Sequence, residues 1–299
     1  MSIIPVKLQK VIDQYDILLS KPIFPMIRNY GMGDMLFLVI LQRQGKIGPI
    51  NFNLAYFNEN ICNYFDNCTN ALDFRIRLLK ELNANVNYTY IENIRDNKYN
   101  FNHLVKIIDN YKLDLNTPSQ NILSEPYIIF HTKLRLGKEI PNTNAIRQNV
   151  INSLSGFKCK YKVVLMGERE FNPDRKILES DISTIYKELL CLHNNNEVID
   201  LTVTSIHNNM NYDSLIESIS IIKDAECNVT IGWGGSFCLS LMFGKKCLTY
   251  IDKIHYDSVL DDKKLAQNNT YLYKDIASFK NRLYDEFHTG NQSKPDSTG

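Results

Sequence analysis

The chain has 299 residues, of which 44% are hydrophobic and 22% charged, with a net charge of +1. Those proportions belong to a globular protein and exclude a collagen, a coiled coil or a wholly disordered chain. The near-neutral balance gives no global field for nucleic acid or an anionic membrane. At roughly 100–200 residues per domain, the length fits two domains or one large one.

Seven cysteines are present (Cys62, Cys68, Cys159, Cys191, Cys227, Cys238 and Cys247), an odd number with no Cys-x-x-Cys pair. Buried free thiols are therefore expected rather than a disulfide framework or a zinc knuckle. The longest clear apolar run, Met35 to Leu41, falls far short of the roughly 20 residues a bilayer needs. The first twenty residues are interrupted by Lys, Gln and Asp and lack a signal-peptide core. A cytoplasmic protein with no integral membrane segment is the expectation.

In chain order, Pro25 to Tyr30 reads as a strand ending in Gly31, and Met35 to Gln44 as an apolar helix. Asn51 to Phe57 alternates like a strand, and Ala71 to Leu82 carries a helical apolar face. Val86 to Ile91 is a further strand and Phe101 to Asn110 a further helix. A polar, proline-containing stretch from Asn116 to Pro126 reads as a linker. The alternation then restarts. Tyr127 to His131, Tyr161 to Met166, Val198 to Leu201, Asn228 to Ile231 and Cys247 to Ile251 read as strands. Ala145 to Leu154, Ile182 to His193, Asp213 to Ala225, Ser236 to Phe243 and Tyr273 to Phe287 read as helical.

This predicts an α/β protein built from two doubly wound Rossmann-like domains facing across a cleft. Residues 1–120 form the first and 121–275 the second. A helix over 276–288, placed to pack back on the first domain, and a disordered tail over 289–299 complete the expectation.

Four strand ends carry residues suited to chemistry. Gly31 and Gly33 flank a sharp turn, and Asp34 follows at the mouth of the cleft as helix N-cap, catalytic group or both. A dinucleotide fingerprint needs Gly at the sixth position of this turn, where Leu36 stands, which argues against NAD or FAD. His131, Lys133 and Arg135 leave a strand end together and suit a clamp on phosphate oxygens; the alternative is a solvated loop. Gly167 and Glu168 end another strand, fit to meet a base or ribose or to form a plain turn. Gly232, Gly234 and Gly235 lead into Ser236 and Phe237 at a helix start, where exposed N–H groups favour an anion. No Gly-Lys-Ser/Thr follows, so this is not a Walker A loop. The absence of His-Glu-x-x-His, His-x-His and Asp-x-Asp sets the expectation of chemistry with no metal and no cofactor.

Taken together, these residues resemble a glycosyltransferase of the two-Rossmann GT-B fold. The stretch from Asp213 to Ile251 resembles the donor-binding half of heptosyltransferase-like enzymes (glycosyltransferase family 9). Tyr30 to Asp34 is similar to the Gly-x-Gly-Asp of the same group, and the segment from Ile128 to Arg135 has features of the His-x-Arg-Arg segment of fucosyltransferases. The resemblance implies transfer of a sugar from a nucleotide-diphosphate donor to a glycan or glycoconjugate hydroxyl, inverting and metal-independent. Asp34 would be the base. His131, Lys133, Arg135, Gly167, Glu168, Gly232, Gly234, Gly235, Ser236 and Phe237 would bind the donor. Leu134 separates Lys133 from Arg135, and Trp233 to Ser236 replaces the family's Asp-Ser-Gly, so the donor's sugar and base stay open. Two alternatives remain: a nucleotide-sugar epimerase of the same fold, and a non-catalytic sugar- or nucleotide-binding module.

Overall fold

The computed structural model describes residues 4–21, 31–58, 68–92, 101–117, 123–132, 151–167, 190, 198–202, 211–231, 235–251 and 260–289. The expected strand over Pro25 to Tyr30, most of the expected helices over 145–154 and 182–193, and the tail from Gly290 lie outside them. In the N-terminal half, α1 (Val6–Gln14) and α2 (Met32–Arg43) precede β1 (Ile50–Asn53), followed by α3 (Cys68–Glu81), β2 (Val86–Thr89) and α4 (Phe101–Lys106). The C-terminal half runs β3 (Tyr127–His131), β4 (Lys162–Met166), β5 (Val198–Asp200), α5 (Tyr212–Asp224), β6 (Cys227–Ile231) and α6 (Gly235–Phe243). It ends with β7 (Cys247–Tyr250), α7 (Asp262–Gln267), β8 (Thr270–Tyr273) and α8 (Ile276–Phe287).

The larger sheet has six strands in the order β5-β4-β3-β6-β7-β8, and every neighbouring pair is parallel. Numbered from β3, that is 3-2-1-4-5-6, the doubly wound Rossmann order. Its four central strands, β4, β3, β6 and β7, are buried on both faces, as a parallel sheet covered by helices must be, while the edge strands β5 and β8 are partly exposed. Tyr127 and Ile129 of β3 point into one core with α5 and α6, while Ile128 and Phe130 point into a second core with Phe157 and α8.

The first core does not stop at the sheet. It continues through α2, α3, α1 and β1, so the two halves share one apolar interior. In α2 every residue from Met35 to Leu41 is buried, and in α6 every residue from Phe237 to Phe243 is buried. A helix apolar on all sides belongs inside a protein, and these two pack on each other at its centre. Residues 108–115 strap the halves together. Ile108, Tyr111, Leu113 and Leu115 are buried, Leu113 N–H donates to the Met242 carbonyl at 3.0 Å, and Lys223 Nζ donates to the Leu115 carbonyl at 3.1 Å. The approach to the expected linker is thus anchored along α5 and α6.

Several boundaries differ from expectation for local reasons. β1 ends at Asn53, not Phe57, because the Asn53 side chain accepts from Ala55 N–H at 3.2 Å and starts a 3-10 turn over Leu54–Phe57. The same amide accepts from Ile91 N–H at 3.0 Å and donates to the Ile91 carbonyl at 2.9 Å, pinning the exits of β1 and β2 to each other. Asn53→Ala is expected to cost about 1–3 kcal/mol, because it strips partners from buried backbone groups. The urea midpoint should fall with the slope unchanged. α8 packs on the large sheet beside β7 and β8 through Phe279, Leu283 and Phe287, rather than back on the N-terminal half. No helix among the described residues is long and apolar enough to cross a membrane.

Candidate functional site at the β3–β6 switch point

In a doubly wound sheet, connections leave β3 and β6 in opposite directions, opening a crevice at the carboxyl ends of those two strands. Here the crevice is edged by His131 and Thr132 at the end of β3 and by Ile231 at the end of β6. Gly167 follows the end of neighbouring β4 with φ at +125°, a backbone state that glycine accepts and bulkier residues resist. Thr132 N–H donates to the Met166 carbonyl at 2.8 Å, tying these two exits together.

α6 starts at this edge with Gly235. Its first-turn N–H groups have no acceptor within the helix, and the helix dipole adds positive potential there. α2 brings its own first turn alongside. Met32 Cε would lie 3.4 Å from a Cβ on Gly235, and a Cβ on Gly33 would lie 2.6 Å from Cys238 Sγ. Glycine at 33 is what allows the two helices to approach this closely. Asp34 stands in the first turn of α2, half-buried, with its carboxylate over Gly31: a Cβ there would be 3.1 Å from Asp34 Oδ2. An acidic group in a first turn is favoured by the dipole.

Gly31, Gly33, Asp34, His131, Gly167, Gly235, Ser236 and Phe237 therefore belong to strand exits and helix starts of the kind expected. Lys133, Arg135, Glu168, Gly232 and Gly234 lie outside the described residues. Four expectations need correction. Asp34 is not the N-cap of α2: the helix starts at Met32, with Gly31 as cap. The helix expected from Ser236 starts one residue earlier, at Gly235, which places Ser236 inside the first turn of α6. Phe237 is 1% exposed and its ring belongs to the core, so only its backbone N–H faces the helix start.

His131 departs furthest from the sequence reading. It is 3% exposed, and burial pushes its imidazole pKa down from 6.5 to about 4. At neutral pH it carries no charge and is no cation for a phosphate. Its Nε2 lies 3.1 Å from Asn228 Oδ1 and 3.2 Å from Ser240 Oγ. Beside them Thr230 Oγ1 donates to Thr249 Oγ1 at 2.6 Å, so a buried polar seam runs between the sheet and α6. The sequence reading passed over Asn228, Thr230 and Ser240. Their signal was two polar residues at alternate positions of a strand that otherwise reads as fully buried.

This gives a pH prediction. The folded pKa of His131 lies below its unfolded value, so between about pH 6.5 and 4 the unfolded chain holds the extra proton. The stabilisation is whole above pH 6.5 and is lost as pH falls through that window, by about 3 kcal/mol. Denaturant melts at pH 7 and pH 4.5 should show this loss in the wild type and a smaller one in His131→Gln.

Among the described residues, no group of three or more His, Cys, Asp or Glu side chains is placed to hold a metal ion. No protein-family model matches the chain, and neither a curated protein nor a solved structure matches it.

Proposed function

We propose that the chain is a glycosyltransferase of GT-B type, which transfers a sugar from a nucleotide-diphosphate donor to a hydroxyl acceptor with inversion and without a metal. The observation that carries this reading is the meeting of two helix starts, α2 with Asp34 and α6 with Gly235, at the switch point of a 3-2-1-4-5-6 sheet. The donor lies along the carboxyl edge of the large sheet. Its diphosphate takes the N–H groups of Gly235, Ser236 and Phe237, in the manner of anions at helix N-termini. Lys133 and Arg135 are the cations assigned to neutralise the leaving group, and glycine at 232 and 234 leaves no side chain to obstruct it. Gly167, at the end of β4, is assigned to the nucleoside, and Glu168, next in sequence, to its ribose hydroxyls.

In the reaction the acceptor oxygen attacks the anomeric carbon while the bond from that carbon to the diphosphate oxygen breaks. The acceptor proton passes to Asp34, and the departing nucleoside diphosphate keeps the bonding electron pair. Electrostatic stabilisation of that leaving group by fixed N–H dipoles and cations does the work a metal does elsewhere. One displacement gives inversion.

The test is a thermal-shift panel with UDP, GDP, ADP, CMP and dTDP, each with and without EDTA. At a hundred times its dissociation constant, a ligand adds about 2.7 kcal/mol of stability. One diphosphate should stabilise the protein equally in both conditions. Stabilisation that EDTA abolishes removes the metal-free mechanism, and silence across the panel removes the nucleotide donor.

A further inference from the structure

The buried seam beneath α6 has one consistent hydrogen-bond assignment. Asn228 Nδ2 lies 3.2 Å from the Ile222 carbonyl, which can only accept, so the amide nitrogen must face it. Asn228 Oδ1 then faces His131, and Nε2 must carry the proton. That leaves no lone pair on Nε2 for the Ser240 hydroxyl, so Ser240 Oγ also accepts from Nε2–H and sends its own proton to the Ser236 carbonyl at 2.8 Å. The chain of bonds therefore starts on α5, crosses β6 and β3, and ends on a first-turn carbonyl of α6. All three linking side chains are buried: His131 is 3% exposed, and Asn228 and Ser240 are 0% exposed. Fully satisfied polar networks in an apolar interior fix one arrangement, because any slippage leaves a buried group unpaired.

We propose that His131 is a positioning residue: through Asn228 and Ser240, its Nε2–H fixes the first turn of α6 at the switch point, so that the N–H groups of that turn stand ready for the anionic part of the ligand. The value of this for ligand affinity rests on the nucleotide-diphosphate reading above; the fixing of the turn does not. His131 itself touches no ligand. It differs from the clamp expected at this position, since it acts as a donor inside the protein rather than as a cation at the surface.

Two variants separate the roles. His131→Gln keeps a donor at the place of Nε2, whereas His131→Phe keeps the volume and loses the donor. Ser240→Ala cuts the same chain one link further on and disturbs the fold less. Amide hydrogen exchange in ligand-free protein is the first readout. His131→Phe and Ser240→Ala should each speed exchange about tenfold at the residue-240 amide, whose helical acceptor is the Ser236 carbonyl of the first turn. His131→Gln should stay near wild type, and so should the far-face helix α8 in all three. The second readout is calorimetric affinity for the nucleoside diphosphate that stabilises the wild type. Loss of one such hydrogen bond should weaken binding about tenfold in His131→Phe and Ser240→Ala, with no further loss in the double variant. His131→Gln should restore affinity and leave its pH profile between 5.5 and 8.5 unchanged, which a titrating phosphate clamp would not allow.

Unchanged exchange in both His131→Phe and Ser240→Ala overturns the proposal. Faster exchange with undiminished affinity overturns its link to the ligand. If the wild type binds no nucleoside diphosphate but the exchange pattern holds, the positioning role stands and the transferase reading falls.

Discussion

Asp34→Asn is expected to lower turnover about 10²–10⁴-fold while leaving nucleotide affinity within about twofold, the span that general-base catalysis covers. Asn keeps the size of Asp and its capacity to accept hydrogen bonds, but it cannot take a proton from the acceptor hydroxyl. Asp34 sits in the first turn of α2, and α2 is buried from Met35 to Leu41, so its backbone is held by the core rather than by a mobile loop. A loss confined to turnover places Asp34 on the acceptor side of the reaction. Near-full turnover removes it from the mechanism, and an equal loss of nucleotide affinity moves it to the donor.

Gly244→Ala should give the largest loss of stability, about 3 kcal/mol. A Cβ at this position would lie 2.6 Å from the Ser240 carbonyl oxygen and 2.7 Å from Asn228 Nδ2. Neither neighbour yields readily. The Ser240 carbonyl accepts from Gly244 N–H at 3.0 Å, and Asn228 Nδ2 is committed to Ile222. The methyl group must therefore push apart the end of α6 and the seam that orders its beginning. Gly48→Ala is the control, because nothing lies within 4 Å of a Cβ there; it should shift stability by no more than about 0.5 kcal/mol. Urea melts of the two variants, read at equal slope, decide the matter.

Much of the second sheet was legible in the chain. β3 spans Tyr127–His131 as expected from its continuous apolar run, and α5 is one residue off at each end. Its start is marked by a capping box of Asn211 and Ser214. The boundaries that slipped did so where a side chain overrides the pattern. β8, an edge strand over Thr270–Tyr273, has no strand signal of its own in the sequence reading, which starts the last helix at Tyr273; Asp275 accepts from Ser278 N–H at 2.7 Å and marks the true helix start. α1 and α7 were not read as helices at all; both are short, and α7 buries one residue, Leu265, so its pattern is faint.

The site was legible as a set of strand exits but not as a set of environments. Glycine at 31, 33 and 235 announces turns and close approaches. The partner of Gly33, however, is Cys238, some two hundred positions away, and no local pattern names it. His131 looked like a cation because Lys133 and Arg135 stand beside it in sequence. Its partners in space are Asn228 and Ser240, and these make it an interior donor. The same holds for the halves: the polar stretch from Asn116 to Pro126 reads as a linker, but the core shared by α2 and α6 comes from packing between distant segments.

The central claim is that the crevice between β3 and β6 receives the anionic part of a nucleotide. Its most direct test is amide hydrogen exchange of the wild-type chain with and without the nucleoside diphosphate that stabilises it. The account predicts protection concentrated at residues 235–240, at 131–132 and at the start of α2 over 31–34, with α8 unchanged. Protection confined to α8 and β8, or to the β1–β2 unit, places the ligand elsewhere and contradicts the account.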